Sequence, residues 1–530
     1  MPTENPFSKS VPQHLLDRRS FLRIGGGVAV AAVGASALAA CGDDETSASS
    51  QSERIVIAHS QGVPTLDPDL TAADVPHSVI MEVCEPLLDY DPDGREIVPW
   101  LAESWSFLDD TTLELKLRSG VTFSNGEPFD SAAVKYTFER TADPATKSVN
   151  AAFGNVTSVE APDASTVRLV LKQPDALLTQ LLTVYPMLAP KHTAEVGAGL
   201  ATNLVGTGPY KLKTVSTGYE VLLERNDSYW GTKPAYREVS YRTIESPETQ
   251  LSALTSGQIH IAADLLPQQA KTIDANPSVN VLSKAKMLMA YIALDAKGRT
   301  EPDGPMRNKL VRQAINHAVD LDSIVENILL GYGTRIGAVA HPAQFGFDEA
   351  IKPYPYDPDR ARDLLRQAGY PDGFEARMIS QTAGIVAQAD AAQAIQRDLE
   401  KVGIKVSLQT MTDPTAVGQV VRGGKAGPMF QFGNAARGIF DVGAGLSSFQ
   451  SDNAFSYFAN DDFMSLYTEQ GRTTDPERRK QLLSQLQELM HEEAPVLFQW
   501  AVHAIWAVSK DVNWPGYPGR FNRLYTAKPA

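Results

Sequence analysis

Cysteine is nearly absent: Cys41 and Cys84 are the only two in 530 residues. A disulfide scaffold and a multi-cysteine zinc site are therefore excluded. Basic residues are in deficit, with 48 Lys and Arg against 63 Asp and Glu and a formal net charge of -15. A nucleic-acid binder needs a basic face that displaces counterions, and this balance argues against one. The 38 glycines and 34 prolines are an ordinary share, and no internal repeat is visible, so collagen-like and low-complexity classes drop out. A strong membrane-spanning run is missing as well. The uncharged stretch Ile24–Ala40 is rich in Gly and Ala and sits at the short limit for spanning.

What precedes and follows that stretch gives it a different meaning. Arg18, Arg19, Ser20, Phe21, Leu22 and Arg23 come first, and Leu38-Ala39-Ala40-Cys41 closes it before Gly42-Asp43-Asp44. A basic start, a weakly apolar middle and small residues at the end read as an export signal over residues 1–40. The arginine cluster resembles a twin-arginine signal. The Leu38–Cys41 run resembles a bacterial lipobox, which implies cleavage before Cys41 and lipidation of that cysteine. Residues 41–53, small and polar with several acids, suit a flexible tether. Cys84 would then stand alone, as a small buried hydrophobe or else a reactive thiol.

Beyond the tether the chain alternates and periodises in both senses. Leu113, Leu115 and Leu117 alternate with charged residues and predict a half-buried strand, and Val167, Leu169 and Leu171 predict another. Arg54-Ile55-Val56-Ile57 opens the first strand. Asp475-Pro476 predicts a capped helix start, followed by an apolar stripe at Leu482, Leu483, Leu486, Leu489 and Met490. Asp357-Pro358 predicts a second helix ending near Gly369, and a third runs to Leu399 and Val402 before the strand Ile404, Val406, Leu408. Strands and helices mix without the regular alternation of a parallel barrel, so the class is mixed α/β.

Catalytic signatures are missing. Gly206-Thr207-Gly208-Pro209 has no phosphate-loop lysine, and Gly443-Ala444-Gly445 lacks the third glycine of a dinucleotide fingerprint at Ser448. No serine sits between glycines in a nucleophile elbow. His491-Glu492-Glu493-Ala494-Pro495 has proline where a zinc-protease helix needs its second histidine. The nine histidines are scattered. These absences argue against an enzyme and imply no cofactor.

An ordered set of motifs points elsewhere. Glu85-Pro86-Leu87-Leu88 leads to Pro99-Trp100-Leu101-Ala102-Glu103-Ser104-Trp105. Leu117-Arg118-Ser119-Gly120-Val121-Thr122-Phe123 and Asn125-Gly126-Glu127-Pro128-Phe129 follow. Farther on stand Gly206-Thr207-Gly208-Pro209-Tyr210, Asn226 through Trp230-Gly231, Val311 through Asn316, and Tyr356-Asp357-Pro358. This series resembles the extracytoplasmic solute-binding proteins of the peptide/nickel class (bacterial family 5) that serve ABC importers. The resemblance implies a two-lobed, type II Venus-flytrap fold with an extra domain inserted in the first lobe. On this chain the first lobe would be 54–80, 200–283 and 497–530, the extra domain 81–199, and the second lobe 284–496. The lobes would join near Val281–Lys286 and Pro495–Trp500. The same resemblance implies a small-molecule or peptide ligand, two permease subunits with cytoplasmic ATPases as partners, and a monomer tethered outside the membrane by lipid. An exported binding protein with a sensing or chaperone role is the alternative, and a secreted hydrolase the more distant one.

Dipeptide binders of this family pair the ligand's amine with an aspartate after Trp-x-Gly, and its carboxylate with an arginine. Here Phe432 takes the tryptophan place in Met429–Arg437, no aspartate follows until Asp441, and Thr382 beside Gln381 stands where the arginine would. The expectation is a solute other than a zwitterionic dipeptide held by its termini: a neutral or polar ligand, a longer or modified peptide, or one carrying an acidic group opposite Arg437. Asp441 is the alternative partner for an amine. Phe432, Asn434 and Arg437 are the leading cleft candidates, with Gln381, Thr382 and Gln61, in the loop after the first strand, behind them. His341, His503, Met287 and Met289 are the residues from which a metal site would have to be assembled; a metal could also enter as a chelate.

Overall fold

A computed structural model describes residues 53–91, 96–149, 153–382, 385–435, 438–517 and 521–530. The export signal, Cys41 and Arg437 lie outside the described residues. The elements expected from periodicity are present: strands Arg54–His59, Thr112–Leu117, Thr166–Leu171 and Ile404–Met411, and helices Pro358–Gln367, Gln388–Glu400 and Pro476–Glu493. Asp357 and Asp475 cap their helices by accepting from the Arg360 and Arg478 backbone N–H groups, which satisfies donors that a helix start leaves open. No helix among the described residues is long and apolar enough to cross a membrane.

One mixed sheet of eleven strands organises the molecule. Its order begins Ile404–Met411, Phe374–Gln381, Met429–Asn434, Val279–Leu294 and Val496–Ser509. It continues through Ile261–Ala262, Arg54–His59, Glu238–Thr243, Glu220–Arg225 and Tyr210–Ser216, with Gly333–Arg335 also on Val496–Ser509. Parallel pairs lie toward each end, Phe374–Gln381 on Ile404–Met411 and Arg54–His59 on Glu238–Thr243. The two long strands in the middle pair antiparallel and are 16 and 14 residues long. A 16-residue strand extends about 50 Å at roughly 3.3 Å per residue, enough to serve both ends.

Apolar packing follows the same division. Ile55, Ile57, Val239, Tyr241, Trp506 and Val508 belong to one core, and Ala290, Ile292, Leu294, Ile395 and Leu497 to another. The chain is therefore two-lobed, with Val279–Leu294 and Val496–Ser509 crossing between the lobes. Core membership changes hands at Met287 on the first crossing strand. On the second it changes at Val502–His503, since Leu497 through Val502 still pack into the far lobe. That exchange of core membership lies C-terminal to Pro495–Trp500.

Residues between the first strand and Leu204 add a four-stranded antiparallel sheet, Ala102–Asp109, Thr112–Leu117, Thr166–Leu171 and Val156–Asp163 in spatial order. Leu113, Leu115, Val167 and Leu169 turn inward there with Phe123, Phe138 and Leu182, in a core that Ile439 and Ala444 also join. The family motifs of this region converge on Glu85. Its buried carboxylate accepts from Trp100 Nε1, Trp230 Nε1 and Thr207 Oγ1 at 2.8 Å each, and from Tyr229 Oη at 2.7 Å. The glycine-rich turn has a packing role. A Cβ at Gly206 would overlap the Val83 carbonyl oxygen, and one at Gly208 the Glu82 carbonyl. Cys84 is fully buried beside this turn, and burial pushes its thiol well up, so it is the buried hydrophobe rather than a reactive thiol.

Candidate ligand-binding cleft

The ladder between the crossing strands shifts register twice, by one residue at Gln499 and more widely at Lys286–Leu288. Ala285 pairs with His503 and Met289 with Ala501, so Lys286, Met287 and Leu288 oppose Val502 alone. Such a bulge bends the strand and re-aims its side chains. Here it opens onto a cavity of about 290 Å³. Lys286, Met287 and Leu288 line it with Asp74 from helix Asp74–Val83. From the far lobe come Gln381, Ile385, Pro414, Val417, Phe432, Gly433 and Ala435. The volume is near the lower end of the ~300–1,000 Å³ typical of small-molecule sites. Larger hollows of about 810 Å³ beside Phe345 and Lys480, and about 410 Å³ beside Asn125 and Lys211, do not combine the crossing strand with both lobes.

Each wall has its own chemistry. The far-lobe wall is mostly apolar, and Phe432 is backed by Tyr291 and Phe455, with ring centroids 6.3 and 5.7 Å away. Gly433 keeps space open, because a Cβ there would overlap Ile385 Cδ1. Gln381 is fixed by a pair of hydrogen bonds: its N–H donates to Gln431 Oε1 at 2.9 Å and its Nε2 to the Gln431 carbonyl at 2.6 Å. On the near side, Lys286 Nζ lies 3.6 Å from Asp264 Oδ1, while Asp264 Oδ2 lies 3.2 Å from His59 Nδ1. Partial burial works to raise the Asp264 carboxyl, but the His59 hydrogen bond and the Lys286 charge outweigh it and hold it well below the usual carboxylate range.

The structure distributes the candidates read from the sequence. Phe432 and Gln381 line the cavity. Thr382 is exposed beside it, its N–H bonded to the Met411 carbonyl at 3.2 Å, and Gln61 is exposed in its loop. Asn434 is buried and donates to the Gly445 carbonyl and to Ser448 Oγ, which ties the strand end to helix Val442–Leu446. Asp441 is fully buried, with both oxygens engaged by Arg479 and its N-cap role at Gly443 filled, so its carboxylate does not face the cavity. Sequence reading passed over Asp74, Lys286, Leu288, Ile385, Pro414 and Val417.

Of the residues weighed for a metal, both ring nitrogens of His503 and one of His341 are engaged by neighbouring groups. His503 Nδ1 is 2.9 Å from Ser283 Oγ and its Nε2 2.9 Å from Thr334 Oγ1. His341 Nδ1 accepts from the Ala343 N–H at 3.0 Å, and burial, with His503 nearby, lowers this imidazole to about 4. Among the described residues no group of three or more His, Cys, Asp or Glu is placed to hold a metal ion.

Relatives share this architecture over nearly the whole described chain. The glutathione-binding protein GsiB of Shigella boydii is 28% identical over 466 residues, covering 83% of this chain and 87% of that protein. The ABC transporter-associated periplasmic binding protein DppA of Helicobacter pylori, solved with the peptide STSA, is 25% identical. Its TM-score is 0.74, with 90% of this chain and 98% of that one covered. NikA of Brucella suis, solved with Fe(III)-EDTA, is 27% identical at a TM-score of 0.80, with coverage of 90% and 100%. These relatives are solute-binding proteins rather than enzymes. Residues 96–457 match the family described as bacterial extracellular solute-binding proteins, family 5 Middle, and the chain belongs to that family of ABC-importer binding proteins.

Proposed function

We propose that this chain is the lipid-anchored capture component of an ABC importer, closing its lobes on a compact peptide or peptide-like solute. The observation that carries this reading is the cavity at the break between the crossing strands, lined from both lobes. A solute seated there touches both halves only when they approach, so binding favours the closed arrangement by its differential affinity. A permease can then read the closed outline without touching the cargo. Two permease subunits with cytoplasmic ATPases would be the partners, and residues 81–199 an inserted domain of the first lobe.

Two further considerations support the finer points. Residues 18–41, with their paired arginines and terminal Cys41, suit export followed by lipid anchoring of a monomer. Among the described residues that line the cavity the charged ones are Asp74 and Lys286, and neither Thr382 nor the buried Asp441 supplies the pairing expected of dipeptide binders, which supports a different grip on the solute. The solute is then not a generic zwitterionic dipeptide gripped at its termini.

A thermal-shift panel of dipeptides, tripeptides, the tetrapeptide Ser-Thr-Ser-Ala, glutathione, sugars and metal chelates tests the capture reading. A ligand at 100-fold over Kd stabilises by ~2.7 kcal/mol. The midpoint should then rise by several degrees, at about 2–4 °C per kcal/mol. Peptide or chelate hits with silent dipeptides support it, and micromolar binding of generic dipeptides overturns the substrate class. Cys41→Ala should move the protein from the membrane to the soluble fraction; unchanged membrane association would remove the anchor.

A further inference from the structure

We propose that Lys286 is the anion-binding residue of the cleft, so that the captured solute presents a carboxylate to its ammonium group. The assignment rests on the capture function proposed above and names the chemistry of its cargo.

Lys286 is the only cationic side chain among the described residues that line the cavity. It is brought there by the bulge, which takes it out of the ladder that Ala285 and Met289 keep. An ammonium group has three N–H donors. The contact recorded for Lys286 is the ion pair to Asp264 Oδ1 at 3.6 Å, longer than a hydrogen bond, and its side chain is 26% exposed. Donors therefore remain for an incoming acceptor. The opposite wall of Ile385, Pro414, Val417 and Phe432 carries no charge and would displace water as the lobes approach. A carboxylate brought into such a place is stable only against a charged donor.

The support behind Lys286 is built as a chain. Asp264 holds a left-handed backbone conformation, φ +58°, that non-glycine residues rarely adopt. In that conformation its two oxygens divide between Lys286 and His59, and His59 is buried and stacked on Tyr241 at 6.2 Å. Asp264 is thus a positioning residue: it anchors the lysine stem side of the cleft to the first-lobe core without itself lining the cavity.

Calorimetry on the full chain separates this assignment from the capture reading. The probes are glutathione and Ser-Thr-Ser-Ala as free acids, the diethyl ester of glutathione and the amide of the tetrapeptide, and glutarate and butane-1,2,4-tricarboxylate as non-peptide acids. The expected result is that blocking the carboxyl weakens a bound peptide by about tenfold or more. Lys286→Met should weaken the free acid by the same factor and leave the blocked form unchanged, while Lys286→Arg restores most of the affinity. Free and blocked forms binding wild type alike would overturn the assignment, as would Lys286→Met weakening both equally. The wild-type comparison decides the matter even if the variant does not fold. If no peptide binds in either form, the peptide reading fails by itself, and the two simple acids decide: binding abolished by Lys286→Met supports the lysine, and no binding overturns it.

Discussion

Asp441 and Arg479 form a two-point ion pair away from water, with Nη1 to Oδ2 at 2.6 Å and Nη2 to Oδ1 at 2.8 Å. Arg479 also donates to Gln470 and lies over the Phe345 ring, while Gln180 Nε2 reaches Asp441 from the four-stranded part at 3.4 Å. The pair therefore fastens three stretches of chain to one another.

Asp441→Ala would strand a buried guanidinium, and removing one partner of such a pair costs on the order of 3–5 kcal/mol. Urea unfolding should show that loss. Calorimetric affinity for the best solute of the wild type should be unchanged, because Asp441 does not line the cavity. Lost affinity at unchanged stability would place the carboxylate in the ligand's path.

Glu85 draws four donors from three separate motifs. Trp100→Phe and Trp230→Phe each delete one hydrogen bond to Glu85, worth ~1.5–3 kcal/mol at pH values where that acceptor is ionised. Glu85→Leu should cost more than either, since it leaves all four donors without their acceptor. Denaturant midpoints that do not move would show that the hub is dispensable.

The share of stability that Glu82 and Glu85 contribute should fall as pH rises from about 5 to about 9. Burial pushes Glu82 up to about 8, against hydrogen bonds from the Leu524 and Tyr525 backbone and Tyr241, and pushes Glu85 up to about 7. The folded state then keeps protons that the unfolded chain releases above its ordinary carboxyl range, so raising the pH favours unfolding. The loss is absent below the unfolded values and complete above the folded ones. Among the described residues Glu82 Oε2 has no hydrogen-bond partner, so Glu82→Gln mimics the protonated acid. Melting scans of that variant should show a flatter pH profile than wild type; an identical profile would remove Glu82 as a cause.

Gly433→Val should narrow the cleft. The new side chain must push Ile385 and Leu288 into the cavity. The expected outcome is a marked loss of affinity for the best wild-type solute with a melting midpoint close to wild type. Phe432→Ala acts in the opposite sense, enlarging the space and removing apolar contact, and should broaden the set of solutes that give a thermal shift.

Much of the fold was legible because it is written in periodicity. The stripe from Leu482 to Met490 packs inward along helix Pro476–Glu493, and the Leu113–Leu117 alternation faces a core. Ordered motifs pointed to the family, and the structure gives the Glu85 set a common physical reason. The cleft was less legible. Phe432 was found because an aromatic position could be aligned, whereas Lys286 sits in an alternation with Lys284 that reads as a solvated strand face. Only the bulge turns it toward the cavity, and no periodicity announces a bulge. Asp441 looked available because it follows Phe432 by a short distance in sequence, yet Arg479, contributed from helix Pro476–Glu493, takes it.

The shared sheet also bears on how such a protein can be recombined. Val279–Leu294 and Val496–Ser509 contribute side chains to the cores at both ends, so neither lobe is a separable module of sequence. A chimera that takes one lobe from a relative inherits mismatched halves of both strands. Transplanting binding specificity between members of this family would have to exchange the pair of strands as a unit, or leave them intact and graft only the side chains that face the gap.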